Sequence, residues 1–249
     1  MIEIIPISIS KKIKKFNLYD TLISSDVPIR NNDVIVLSSK FVAMSEGSII
    51  NINKIRPSNI ALKLAKQYTM DPKITEIILR EADQIFSGIP GFLLSITNGI
   101  LAPNAGIDSS NIFNNHVICF PKEPFKSANN LRINFLVNMG IHVGIIISDS
   151  RLMPTRVGTT GMAISCSGLE PVEDHRAKKD LFGNTIKYTF KAVADSLATM
   201  ATFAMGESNE SIPFVIIRGA NVIMTNKRLS WNSFAVNYDT DIYFRGLSS

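Results

Sequence analysis

Two rhythms of apolar and polar positions run along the chain. Some stretches are unbroken apolar runs rich in β-branched residues. "DVIVLSSKFVAM" (33–44) opens with one and predicts a buried strand, carried to residue 42. "HVICFP" (116–121) predicts a short strand ended by Pro121, "HVGIIISD" (142–149) a strand covered on both faces, and "PFVIIRG" (213–219) another. Other stretches repeat apolar residues at helical spacing. "PSNIALKLAKQY" (57–68) starts with a Pro-Ser-Asn signal, and "DPKITEIILREADQIF" (71–86) with Asp71 as a cap and Pro72 in the first turn. "SANNLRINFLVNMG" (127–140) predicts a helix closed by Gly140. "KYTFKAVADSLATMATFAMG" (187–206) is the clearest helix, with Phe190, Val193, Ala194, Leu197 and Ala201 on one stripe and Gly206 at its end. Strands and helices alternate irregularly. That predicts an α+β fold of mixed sheets with packed helices, without a simple doubly wound pattern.

Composition narrows the class. The 249 residues suffice for one large domain or two small lobes. Hydrophobic residues make up 45% and charged ones 19%, as in globular proteins. A net charge of +5 and a pI near 9.2 fit phosphate-bearing ligands or nucleic acid. The basic residues are scattered, however, and cluster only in "KKIKK" (11–15) and "RAKKD" (176–180). A solvated surface is therefore expected, with no nucleic-acid partner. Cys119 and Cys166 are far apart, in apolar surroundings and without metal-ligand spacing, and are expected as buried free thiols. The start "MIEIIPISISKK" lacks a charged segment followed by a long apolar one, and no apolar run reaches a membrane span. These readings predict a cytoplasmic protein with no membrane partner. Trp231 is expected in the core or at an interface.

Candidate chemistry gathers at three polar corners that follow apolar elements. They are "PNAGIDSSN" (103–111) with Asp108 and Asn111, "ISDSRLMPTRVGTTG" (147–161) with Asp149, Ser150, Arg151 and Arg156, and "MGESNESIP" (205–213) with Glu207, Asn209 and Glu210. Carboxylates and hydroxyls at element ends hold hard cations such as Mg²⁺ through oxygen. Nearby glycines let backbone N–H groups approach phosphates, and arginines beside a carboxylate suit an anionic substrate. Taken singly, each such residue is as well explained as a cap or turn. There is no GxxxxGK[ST] loop, no GxGxxG after a strand and no GxSxG elbow. His116, His142 and His175 have no paired-ligand spacing, and His142, at the start of a buried strand, is expected to be a hydrogen-bonded structural residue.

Read together and in order, "SEG" (45–47), "PNAGIDSSN", "FPKEPFKSANNLR" (120–132), "ISDSRLMPTRVGTTGMAI", "KKDLFGN", "KAVADSLATMATFAMG" and "IPFVIIRG" resemble the coenzyme F-420 γ-glutamyl ligase family. The resemblance covers about residues 30 to 220. It implies a family-specific α+β fold without a P-loop and an intertwined homodimer, here a single ligase unit of two interleaved lobes. It implies a GTP-dependent ligase that adds L-glutamate to F-420-0 through an acyl phosphate, with a γ-glutamyl extension allowed. It further implies Mg²⁺ or Mn²⁺, with a monovalent cation such as potassium allowed beside it. By this resemblance Asp108, Asp149, Ser150 and Glu207 are metal ligands. Ser39, Lys40, Asn111, Glu207 and Ser208 contact the nucleotide. Arg156 is a clamp for phosphate or for the glutamate carboxylate, on charge and place.

The chain departs from the family pattern at several positions. Met44 stands where many members have a nucleotide-contacting Lys, and Ser48 where Arg is usual. A thioether cannot pair with phosphate. "ISK" (9–11), "NLY" (17–19) and "RLMPTR" (151–156) replace the family's Gly-Leu-Pro, Gly-Asp-Asp and Gly-Arg-Pro-Trp-Arg, and Ser150 stands where Thr is usual. Two further readings therefore stand beside the first. One is a paralogue that ligates another amino acid or uses another nucleotide. The other is a catalytically silent relative that binds a deazaflavin.

Overall fold

The structure, a computed structural model, describes residues 1–10, 15–237 and 239–247, so of the "KKIKK" cluster only Lys15 lies among the described residues. Along the chain, β1 (Glu3–Ile7) and α1 (Leu18–Ile23) lead into β2 (Val34–Ser38), followed at once by α2 (Ser39–Glu46). Next come β3 (Ile49–Asn51), α3 (Asn59–Gln67), α4 (Pro72–Glu81), the meander β4 (Gln84–Ile89), β5 (Phe92–Thr97) and β6 (Ile100–Pro103), and β7 (His116–Ile118). Then α5 (Pro124–Met139), β8 (Gly144–Leu152) and β9 (Thr159–Ser167) return to the centre. The hairpin of β10 (Val172–Asp174) and β11 (Phe190–Ala192) precedes α6 (Val193–Met205), β12 (Phe214–Arg218) and α7 (Ile242–Leu247). This is a mixed α+β architecture. No helix among the described residues is long and apolar enough to cross a membrane.

The main sheet has five strands in the order β1-β12-β2-β8-β9. Only β2 and β8 run parallel, with Val34 opposite Gly144 and Ser38 opposite Ser148. The continuous apolar runs are explained by burial on both faces. Ile35, Leu37, Ile145, Ile147 and Ile216 pack with Leu22 of α1 and Leu131 and Phe135 of α5. Val34, Val36, Ile146, Val215 and Ile217 pack with Val193, Leu197 and Ala201 of α6 on the other face. Between β3 and β7 the chain forms smaller clusters around Ile77, Val117 and Cys119 and around Ile78, Leu93 and Ala105. Ile100 and Ala102 of β6 join this region to the main core. At the edge of the sheet remote from the β2 carboxyl end, Arg218 forms a two-pronged pair with buried Asp33 at 3.0 and 2.8 Å.

Several expectations shift at element ends. The strand begun at residue 33 stops at Ser38, and residues 39–46 are helical. Ser38 keeps extended dihedrals as the cap, Gly47 closes the helix in the left-handed conformation, and burial of Phe41 and Val42 outweighs their strand preference while Ala43 favours the helix. The helix from Pro72 ends at Glu81 rather than Phe86, because Ala82 turns extended and Gln84 starts β4. The helix before Gly206 starts at Val193. Phe190 lies in β11, half-exposed, with the Arg176 guanidinium 4.4 Å above its ring. The strand after His142 runs on through the polar corner to Leu152, paired with β9. His142 itself precedes it, exposed, and its backbone receives Asn32 N–H and donates to Asn31 Oδ1. The strand at 116 ends at Ile118, and α5 starts at Pro124, ahead of the expected Ser127. Cys119 and Cys166 are buried and free, and burial pushes both thiols up to about 12. Trp231 packs half-buried on the main core against Phe234, with ring centroids 5.1 Å apart.

Two features yield measurable consequences. A Cβ on Gly161 of β9 would lie 2.4 Å from both Ala198 O and Thr202 Oγ1, so α6 sits directly on the strand, and Thr199 Oγ1 donates to Gly161 O at 2.8 Å. Gly161→Ala is expected to destabilise the fold by about 2 kcal/mol through overpacking, read as a lower midpoint of thermal unfolding. An unchanged midpoint would contradict this packing. Glu76 of α4 accepts from Ser58 N and Arg80 Nε, both at 2.9 Å, tying the start of α3 to α4. The Ser58 hydrogen bonds, then Arg80, pull its carboxyl from 4.5 down to about 2. Its stabilisation is complete above the unfolded value of 4.5 and is lost as pH falls from there towards 2. Glu76→Gln is expected to lower the unfolding midpoint at neutral pH and to flatten its decline across that window. Parallel midpoint–pH curves for the two proteins would refute the assignment.

Candidate active site

Strand direction brings the polar corners together. Because β2 and β8 are parallel, their carboxyl ends leave the same edge of the sheet. The antiparallel β12 starts there, with Phe214 opposite Leu37, and β1 ends there, with Ile7 opposite Phe214. Residues 206–213, which link α6 to β12, therefore meet the ends of β2 and β8. The loop after β6 joins them. Asp108 is anchored by a two-way backbone pair with Ile118, Asp108 N–H to Ile118 O at 3.0 Å and Ile118 N–H to Asp108 O at 2.8 Å. The loop backbone turns through left-handed dihedrals at Asn104, Ala105, Gly106 and Asn111. A Cβ on Gly106 would lie 2.2 Å from the Phe120 ring. These constraints explain why small residues crowd "PNAGIDSSN".

The result is a cleft of about 550 Å³. Lys40, Asp108, Asn111, Asp149, Ser150 and Glu207 line its polar side, and Phe41, Met44, Met205 and Ile212 contribute apolar surface. Ser39, directly after the Ser38–Ser148 register pair, donates its hydroxyl to Asp149 Oδ1 at 2.5 Å. Lys40, in the first turn of α2, places Nζ 2.6 Å from Asp108 Oδ2 and donates to Ser110 Oγ at 2.7 Å and Ser110 O at 3.2 Å. Ser110 donates its amide to Asp108 Oδ1 at 2.6 Å and its hydroxyl to Oδ2 at 3.0 Å. Asn111 Nδ2 donates to Ser208 O at 2.7 Å and so links two of the loops. Ser150 and Thr159 both donate to Glu207 Oε1, at 2.8 and 3.0 Å.

The two aspartates have different electrostatics. Burial pushes Asp149 up to about 6, the negative charge of Asp108 adds to this, and Ser39 and Lys40 oppose it. Burial also works against ionisation of Asp108, but the Lys40 hydrogen bond and the Ser110 amide outweigh it and hold its carboxyl below the usual range. The polar donors facing the cleft offer oxygen, with no thiolate or imidazole, which suits a hard cation. Among the described residues no three His, Cys, Asp or Glu side chains form a ready ligand set. Two carboxylates with hydroxyls suffice for a cation that takes its remaining ligands from substrate phosphates and water.

Nine of the candidate site residues singled out in sequence line this one cleft: Lys40, Asp108, Asn111, Asp149, Ser150, Glu207, Ser208, Asn209 and Glu210. Ser39 touches it through Asp149. Arg156 stands apart on the exposed turn between β8 and β9, outside the lining, and Arg151 turns its guanidinium to Met162 Sδ at 3.1 Å. His116 and His175 serve local contacts, to Asn114 O at 3.0 Å and to Glu173 at 3.1 Å. In the "RAKKD" cluster Arg176 is paired with Asp174 at 2.7 Å. Met44 lines the cleft in the same helix as Lys40. Of the replaced segments, Ile9 and Ser10 line the cleft, Lys11 lies outside the described residues, and Asn17 caps α1. Two participants were not singled out in sequence. Ser110 has a local signal, the Asx-turn spacing two residues after Asp108. Thr159 has none, because it meets Glu207 only through the β8–β9 pairing.

Residues 9–219 match the family model described as "F420-0:Gamma-glutamyl ligase". A relative named "Coenzyme F420:L-glutamate ligase" from Methanocaldococcus jannaschii is 43% identical over 200 residues, 80% of each chain. A relative of the same name from Methanopyrus kandleri is 35% identical over 219 residues, 88% of this chain and 87% of its own. One from Archaeoglobus fulgidus is 33% identical over 221 residues, 89% of each chain. The whole cleft, from Ile9 to Pro213, lies within the matched span. The matched span and these identities show that the chain belongs to the F420-0:gamma-glutamyl ligase family.

Proposed function

We propose that this chain is a GTP- and divalent-metal-dependent ligase that joins L-glutamate to coenzyme F-420-0. The observation that carries the reading is the convergence of Asp108, Asp149, Lys40, Ser150 and Glu207 on one cleft, in a chain of this family. In the proposed reaction a substrate carboxylate attacks the γ-phosphorus of GTP and GDP leaves. The glutamate amine then attacks the acyl phosphate carbon, inorganic phosphate departs and an amide remains, with a second γ-linked addition allowed. Lys40 and Asn111 supply donors for phosphate oxygens, and the positive end of the α2 dipole lies at the same wall. Ser39 orients the Asp149 carboxylate. Mg²⁺ or Mn²⁺ held by Asp108, Asp149, Ser150 and Glu207 would neutralise charge on the transferred phosphoryl group. The family resemblance supports a cytoplasmic homodimer and leaves room for potassium. Arg156, on its exposed turn, has no place in this contact set as the chain stands.

One observation favours a second reading. Met44 lines the cleft wall next to Lys40, and a thioether there offers nothing to phosphate. A paralogue that prefers another nucleotide or another amino acid would tolerate it.

Purified protein with F-420-0, L-glutamate, GTP and Mn²⁺ is expected to yield product heavier by one or two glutamyl units. Asp149→Asn should reduce that yield by at least a hundredfold while the unfolding midpoint is retained or raised, because a poorly solvated charge is removed. Full ligation by the variant, followed by mass spectrometry, would overturn the cation assignment. Met44→Lys is expected to lower the KM for GTP severalfold if the triphosphate lies along α2. An unchanged KM would place the triphosphate elsewhere in the cleft.

A further inference from the structure

Lys40 and a divalent cation make competing claims on Asp108. Asp108 Oδ2 is taken by Lys40 Nζ at 2.6 Å and by the Ser110 hydroxyl at 3.0 Å, and Oδ1 by the Ser110 amide at 2.6 Å. A doubly charged ion bound directly to this carboxylate would stand within a few ångströms of the ammonium, in a half-buried site where repulsion is poorly screened. We infer that Lys40 is a built-in counter-ion that neutralises Asp108 until a divalent cation arrives, and is then released to the phosphates of the nucleotide. The inference rests on the proposed role of Asp108 as a cation ligand.

Two observations support displacement over a fixed lock. First, Asp108 does not need Lys40 to hold its place. Its backbone is pinned by the two-way pair with Ile118, and its side chain is turned by Ser110. Second, Lys40 sits on the cleft wall in the first turn of α2, where its flexible stem can swing towards the cavity beside uncharged Met44. Before nucleotide binds, the other carboxylate that Lys40 feels is Asp149, itself part of the proposed cation set. Of the other carboxylates lining the cleft, Glu207 belongs to the same proposed set and Glu210 already accepts the Ser208 amide at 2.9 Å, so cation binding alone costs the ammonium its close pair with Asp108. Once a triphosphate is present, the ammonium has acceptors that leave both aspartates free. Lys40 thus makes cation affinity conditional on nucleotide, a coupling that acts equally in both directions.

The test uses the full chain without nucleotide. Mn²⁺ alone is titrated into wild type and Lys40→Met, and free Mn²⁺ is followed by its electron paramagnetic resonance signal. Lys40→Met is expected to bind Mn²⁺ on the order of tenfold more tightly without nucleotide, and to bind GTP more weakly than wild type does. A folded variant with unchanged or weaker Mn²⁺ binding would overturn the inference, since a lock that positions Asp108 predicts loss of affinity. Lys40→Gln repeats the measurement should Lys40→Met fail to fold. Asp108→Asn separates this outcome from failure of the underlying reading. If Asp108→Asn binds Mn²⁺ as wild type does, Asp108 is not a ligand and the proposed site falls. If Asp108→Asn loses Mn²⁺ but Lys40→Met gains none, only the role of Lys40 falls.

Discussion

The parallel pairing of β2 with β8 is the constraint on which the rest of the site depends. It sets Ser38 opposite Ser148 and so delivers Ser39 and Asp149 side by side at one edge of the sheet. On its other side β2 pairs with β12, which runs the opposite way, and β1 beyond it runs the same way as β2, so the start of β12 and the end of β1 arrive at that same edge. No local sequence signal creates the cleft. It is built by ladder hydrogen bonds whose register is fixed by apolar side chains buried on both faces.

Within this frame the polar groups are arranged as unlike neighbours. Asp108 is held ionised by an ammonium and an amide, whereas Asp149 is burdened by burial and steadied by one hydroxyl. Glu207 has one oxygen fixed by Ser150 and Thr159 from adjacent strands, which restricts its rotation without neutralising it. A cluster with this much negative charge and so few cationic partners is suited to receiving positive charge with an anionic ligand. That balance of charge is what the metal–nucleotide role proposed above requires.

Much of this was legible in the sequence, and the failures have physical causes. The runs in "DVIVL", "HVGIII" and "PFVIIR" gave the three central strands because burial on both faces requires continuous apolar residues. The ordered motifs gave the family, and their corners gave most of the cleft lining. The strand-to-helix switch at Ser38 was hidden because Phe41, Val42 and Ala43 are as apolar as the strand before them. The meander β4–β6 was missed because Ile89, Phe92 and Leu94 leave apolar side chains exposed and blur the alternation that marks a strand. Arg156 was grouped with Asp149 by proximity in sequence, but the hairpin carries it away from the sheet edge where Asp149 sits.

The position of β12 has a consequence for how such a chain is made. This strand, residues 214–218, lies between β1 and β2, which come from the first 38 residues. During synthesis β1 and β2 therefore wait, unpaired along their facing edges, until nearly the whole chain has emerged. Open apolar strand edges are templates for wrong pairing with other chains. Catalytic geometry and safe closure thus arrive in the same late step, and a chain truncated before Phe214 would have neither.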